Sequence, residues 1–225
     1  KLSDDSSATD KLIISGKATG STELKVNNVG GNGAQTSNGI HVIQTGSSEA
    51  NAFFLANGGY VSAGAYDYGL NLKGADWYLE SHRRNKSTDI TVYTPDIGSY
   101  LAVETMGNTL FTSRIEDREG ASQYQNLGTK DNGNVWVRAF GGHNQFRSMD
   151  SQLKTTGNSF VTQMGTGLVT LGEEDQYNLG VMGGFAYYDG KTSSKLTTRE
   201  SKAEINGYSL GLYGTWYAHP VAKRG

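Results

Sequence analysis

Side chains able to do chemistry are few and scattered. The four histidines, His41, His82, His143 and His219, lie far apart and lack the spacing of a metal-ligand set. Adjacent carboxylates such as Asp4-Asp5 and Glu173-Glu174 stand among turn-forming residues, where they serve solvation. The chain has no cysteine, which removes thiolate nucleophiles and disulfides together. No His-Glu-x-x-His pair and no Gly-rich phosphate loop occurs, and no nucleophile elbow is read. No catalytic residue, metal ligand or cofactor is therefore assigned, and the chain is read as a non-enzyme. What remains is a feature that another enzyme would act on. Arg83-Arg84 lies within His82-Arg83-Arg84-Asn85-Lys86-Ser87-Thr88, the most basic stretch of the chain. A solvated linker is the plain reading, and a processing site for a dibasic-cleaving protease is the sharper one. A formal net charge of −2 provides no basic field for nucleic acid.

The elements around that stretch fall into three parts. Thirty-one glycines against two prolines, with 13 tyrosines, favour tight turns and aromatic-bearing strands over helix bundles. The mean hydropathy of −0.52 does not exclude a membrane protein, because transmembrane barrels alternate lipid-facing and lumen-facing residues. No apolar run reaches the ~18 residues of a membrane helix. The opening KLSDDSSATD lacks the regions of a signal peptide, so an exported chain would be a piece of a longer precursor. In the first third, short β-like runs (11–15, 22–26, 40–44, 52–55, 60–63, 69–73, 77–80 and 90–93) alternate with turns such as Asn32-Gly33, Asn38-Gly39 and Asn57-Gly58. They suit the rungs of a parallel β-helix or a small sandwich. Within residues 64–81, Tyr66, Tyr68, Leu70, Leu72, Trp77, Tyr78 and Leu79 have the density of a terminal core that would cap a last rung, or of an ordinary hairpin.

Residues 94–120 predict one long helix. Thr94 can cap it, Pro95 suits its first position, Asp96 suits its positive end and Gly120 stops it. Its length of about 37 Å would be comparable with a bilayer core. Tyr100 and Phe111 fall on one side with Ile97, Leu101 and Ile115, while Val103, Met106 and Leu110 fall nearly opposite. Small and hydroxyl-bearing residues lie between, so contact with protein on several sides is expected rather than contact with lipid. Beyond it come long runs at 134–146, 159–171, 176–191 and 204–218, the last two cleanly alternating and the first two less so, since Thr162, Thr166 and Thr170 share a face with Phe160, Met164 and Leu168. Tyr177, Leu179, Val181, Phe185 and Tyr187 oppose small or polar neighbours in the third, and Tyr208, Leu210, Leu212 and Trp216 do so in the fourth. An apolar face ending in aromatics predicts a transmembrane β-sheet, with Arg138 and Gln163 toward a lumen. Residues 173–175 read as a short turn and 190–203 as a longer loop. Four strands cannot close a barrel, so either several chains share one or the sequence stops early. His219-Pro220 reads as a turn into a further strand, which favours early termination.

The order of these parts resembles the secretion unit of the AIDA-type monomeric autotransporters. The resemblance is carried by DKLIISGKATGSTELKVNNVGG, GIHVIQTG, GAYDYGLNLKGADWYLES, IGSYLAVETMGNTLFTSRIEDREG, NVWVRAFGGHNQF and LGVMGGFAYYDGKT. It implies a mainly β chain: residues 1–81 as a pertactin-like β-helix end with an autochaperone, 82–94 as linker, 95–120 as a pore-threading helix, and 121–225 as the first four strands of a barrel of about twelve. It further implies export, folding and anchoring of an adhesin-type surface passenger. The implied partners are outer-membrane lipid, the barrel-assembly machinery, periplasmic chaperones and an outer-membrane protease. Self-cleavage at an Asn-Asn bond in the pore, known in the family, does not carry over, because the helix has a lone Asn108 before Thr109 and Asn27-Asn28 lies elsewhere. The alternatives are a trimeric autotransporter anchor, which would need preceding heptads, and the end of a secreted β-helix enzyme.

Overall fold

The computed structural model describes residues 1–85, 88–115, 117, 135–172 and 176–217. It divides into two units. One comprises Lys1–Gly98, Arg147–Lys154 and Thr192–Ser201, and the other Ser99–Phe146, Thr155–Lys191 and Lys202–Gly225.

The first unit is built from β1 (Leu12–Ala18), β2 (Thr22–Leu24), β3 (Ile40–Ser48), β4 (Phe53–Leu55), the single turn α1 (Ala56–Gly59), β5 (Tyr60–Ala63), β6 (Tyr66–Lys73) and β7 (Asp76–Glu80). Two pairs are parallel, and they begin at one offset: Leu12 faces Ile43 and Thr22 faces Phe53, each partner 31 residues further on, before a register shift between Ile14 and Lys17 in the first pair. Parallel pairing ends there. β7 runs antiparallel to β3, and β6 and β5 follow as a meander, giving the order β1-β3-β7-β6-β5. The expectation of a parallel β-helix end is thus narrowed to two parallel pairs under an antiparallel cap. The reversal is made by glycines: Gly64 (φ 54°) and Gly74 (φ 65°) take the left-handed conformation in the two tight turns. At Gly64 a Cβ would also collide with the Asn32 carbonyl oxygen.

Residues 82–94, expected as linker, are largely paired. β8 (His82–Asn85) and β9 (Thr88–Thr91) form an antiparallel hairpin. Residues 92–94 continue along β6, with Asp67 N–H donating to the Val92 carbonyl (3.0 Å) and Thr94 N–H to that of Ala65 (3.0 Å). His82 is buried against Thr36, so the basic composition of this stretch hides a strand that begins inside the core.

The helix α2 (Pro95–Thr109) is 15 residues long and hence about 22 Å, shorter than expected. It stops early because Gly107, Asn108 and Thr109 are weak helix formers and the Thr109 hydroxyl bonds back to the Thr105 carbonyl (2.9 Å). The expected stop, Gly120, lies outside the described residues. In the second unit β10 (Val135–Ser148), β11 (Leu153–Leu171), β12 (Gln176–Ser194) and β13 (Glu200–Tyr217) pair in chain order as one sheet. The expected turn at 173–175 and the one at His219-Pro220 also lie outside the described residues. Strands of 14 to 19 residues exceed the ~9–11 that cross a bilayer.

Alternation prevails, broken where Phe140, Val169 and Leu171 are exposed out of step. Val135, Val137, Phe160, Met164, Leu168, Tyr177, Leu179, Tyr208, Leu210, Leu212 and Trp216 are exposed on one face, Leu210 at 92%. The other face is finely fitted: the Tyr188 ring lies so close to Gly157 and Gly190 that a Cβ at either would fall 2.4 to 2.8 Å from it. Replacing Gly157 by Ala should therefore cost about 1–3 kcal/mol through overpacking. A lowered unfolding temperature of the membrane-inserted protein checks this.

Candidate functional site

In the first unit the capping strands carry the site. Tyr68, Trp77 and Leu79 are buried with Ile40, Ile43 and Phe53, and Tyr66, Leu70 and Leu72 pack against them. Tyr78, expected in the same core, faces the other way, because neighbours in a strand alternate; it stacks on His41 at 4.6 Å and receives the Lys73 ammonium. Tyr68 does more than fill space. Its hydroxyl accepts from Ala34 N–H (2.8 Å) and lies 2.8 and 2.7 Å from the carbonyl oxygens of Ser3 and Ala34, one of which takes its proton. Trp77 donates to the Ser48 hydroxyl (2.9 Å) and meets Phe53 edge-on.

Two acids are buried in this cap, Glu80, which pairs with Lys73, and Asp67. Asp67 is fully buried, and its Oδ1 accepts from the Ser62 hydroxyl (2.5 Å) and from Arg199 Nη1 (3.0 Å). Burial pushes its carboxyl above the ordinary range, Ser62 and Arg199 oppose the rise, and Asp96 adds to it. Sequence reading missed this residue, although an acid between Tyr66 and Tyr68 in an aromatic strand is a visible signal. Arg199 and Gln152 gave none.

In the second unit α2 and the residue after it supply a buried stripe at four-residue spacing, Ala102, Met106 and Leu110. It packs on Val161, Ala186 and Tyr188 of the inner sheet face, with Phe111, Phe146 and Ile205 beside them. Phe111 seats over Gly207, where a Cβ would lie 3.0 Å from its ring. Tyr100 (72% exposed) and Val103 (39%) do not join that stripe and leave one side of the helix exposed. Arg138 on the inner face donates to Gln163 Oε1 (2.7 Å) and to the Thr112 carbonyl (3.3 Å) and pairs with Asp117 at 3.0 Å. The peptide leaving α2 is thereby tied to β10 and β11.

The arrangement offers surfaces rather than reacting groups. Gly207-Tyr208-Ser209-Leu210-Gly211 spells a nucleophile elbow that the sequence reading leaves out, but it lies within β13 and not on a strand-to-helix turn. Among the described residues no cluster of three or more His, Asp or Glu is placed to hold a metal ion.

The model of the Autochaperone Domain Type 1 matches residues 1–70, and that of the Autotransporter beta-domain matches residues 135–224. The Autotransporter adhesin AIDA-I of Escherichia coli is 34% identical over 96% of the chain. The chain belongs to the AIDA-type autotransporters. The uncharacterized protein YuaQ of Escherichia coli strain K12 is 38% identical over the whole chain. The chain spans only 18% of YuaQ and 17% of AIDA-I. The crystal structure of the AIDA-I transport unit aligns over 56% of this chain and 38% of that one, at 34% identity and a TM-score of 0.48. As an autotransporter the chain has its β-domain in the bacterial outer membrane and its passenger portion at the cell surface.

The dibasic pair of this autotransporter lies in β8, Arg83 opposite Ile90 and Arg84 opposite Asp89, and the Arg83 guanidinium donates to the Tyr60 hydroxyl (3.0 Å). Asn28 of the Asn-Asn pair is a turn former, accepting from Leu2 and Gly31 N–H.

Asp67 makes the cap sensitive to pH. A carboxyl that holds its proton more tightly folded than unfolded contributes stability at low pH that is lost as pH rises through the raised folded value. Asp67→Asn should thus gain on the parent as pH rises from about 4 to 7, the window above an ordinary aspartate pKa. Urea midpoints of both proteins across that range check the sign.

Proposed function

We propose that the chain is the translocation and folding unit of an outer-membrane autotransporter. Residues 1–81 serve as passenger end and autochaperone, 82–94 as the connection, 95–120 as the pore segment and 121–225 as part of a closed β-barrel. One observation carries the reading: α2 and the residue after it lay Ala102, Met106 and Leu110 on the small inner face of a sheet whose other face is apolar and exposed. That is the two-sidedness a lipid-facing barrel with an occupied lumen requires. The exported cap would supply the drive, since folding outside releases about 5–15 kcal/mol per domain without a nucleotide. The 31-residue offset at which both parallel pairs begin supports templating of preceding coils as β-helix rungs. The role is non-enzymatic, with an adhesive passenger of the kind that AIDA-I is named for. Barrel-assembly machinery and periplasmic chaperones would serve its insertion.

Trp77→Ala or Tyr68→Ala should abolish most surface display of the passenger while leaving the β-domain inserted. Normal display of both variants would sink the autochaperone role. An outer-membrane protease acting at Arg83-Arg84 would first have to open the β8–β9 hairpin. N-terminal sequencing of the cell-associated fragment should then give a start at Arg84 or Asn85, whereas an uncut chain rejects processing there.

A further inference from the structure

The first unit contains two segments far removed in sequence from the cap they touch, 149–152 and 195–199, at the tips of the β10–β11 and β12–β13 hairpins. At the first tip Met149, Asp150 and Ser151 all take positive φ, 50°, 52° and 63°, a run of left-handed conformation that non-glycine residues disfavour. Such strain persists where surrounding contacts hold it. Its effect here is to aim Gln152, which is buried, at the chain between β9 and α2. The Gln152 amide accepts from Tyr93 N–H (2.7 Å) and donates to the Thr91 carbonyl (2.7 Å). Those are the two bonds that a residue of a parallel neighbouring strand would make to positions 91 and 93. A side chain thus stands in for a strand on one edge of this segment, while Val92 uses its own N–H and carbonyl on the other, with Ser81 and Asp67.

The second tip is joined to the first, since Lys195 N–H donates to the Gln152 carbonyl (2.9 Å). From it Arg199 reaches Asp67 and the Ser62 hydroxyl. Ser62 and Asp67 face each other across the β5–β6 hairpin, in register, so their paired geometry exists only once that hairpin has formed. Unfolded, the same residues would offer Arg199 nothing better than water.

We infer that the two hairpin tips are a latch whose partner is the folded end of the passenger: Gln152 captures residues 91–93 as a surrogate strand, and Arg199 captures the Ser62-Asp67 pair. The latch closes on the folded cap and not on the extended chain, so it holds the exported end in its final register. This goes beyond the translocation reading, and its test does not use export as a readout.

Hydrogen exchange of the full chain in detergent micelles, resolved by peptide, tests it. Gln152→Ala should speed exchange of the Tyr93 amide about tenfold, the loss of one buried hydrogen bond. Arg199→Gln should speed exchange across residues 60–69 by a comparable factor, because Asp67 is left as an uncompensated buried charge. Adding Asp67→Asn to Arg199→Gln should restore most of the protection, a rescue that general destabilisation does not give. Strands β10–β13 serve as the internal reference and should exchange as in the parent. Unchanged exchange in both single variants overturns the latch, and so does failure of Asp67→Asn to relieve Arg199→Gln.

Discussion

A sheet set in hydrocarbon cannot leave backbone groups unpaired, since each costs several kcal/mol there, and it cannot turn polar side chains outward. Both demands fall on β10–β13, and the second dictates the period-two pattern of all four strands. Once Leu210, Leu212, Tyr208 and Phe160 point outward, the intervening positions must face the other way, and whatever packs on that face must fit them. Small residues are the consequence. Gly157, Gly190 and Gly207 are where aromatic rings approach within contact of backbone, and bulk there would displace Tyr188 or Phe111.

The helix answers the same constraint from the inside. A segment meant to lie on such a face needs one apolar stripe narrow enough to match it and little else. Ala102, Met106 and Leu110 provide that stripe. Arg138 then binds the emerging peptide by its carbonyl and by Asp117, holding a charge on the inner face of the sheet where Gln163 supplies the further acceptor it requires.

The strands of the second unit were legible because they are long, most clearly β12 and β13 with 19 and 18 residues, whereas threonines on the apolar face blur the pattern of β11. The helix was legible at its start and not at its end. Thr94, Pro95 and Asp96 are sharp signals, whereas Gly107, Asn108 and Thr109 only weaken a helix, and where it stops depends on a local bond from Thr109 to Thr105. Tyr78 was misplaced by aromatic density read without its period, since Trp77 and Leu79 on either side of it point into the core. The hairpin at 82–91 was hidden by charge, because Arg83 and Arg84 resemble a linker while Ser81 and His82 begin a buried strand. Asp67 with Arg199 was out of reach, for no periodicity links residues 132 apart.

That separation also explains why a charge is kept in the cap at all. Replacing a buried ion pair by well-packed apolar groups is often neutral or stabilising, so stability alone does not account for Asp67. An apolar residue there would be content in any collapsed state of the first hundred residues. A carboxyl is not: buried there it must hold its proton, or lean on Ser62 alone, until a guanidinium arrives from the far end of the sequence, placed by the β12–β13 tip. The buried acid therefore distinguishes the complete first unit from partial ones, which a greasy core cannot do.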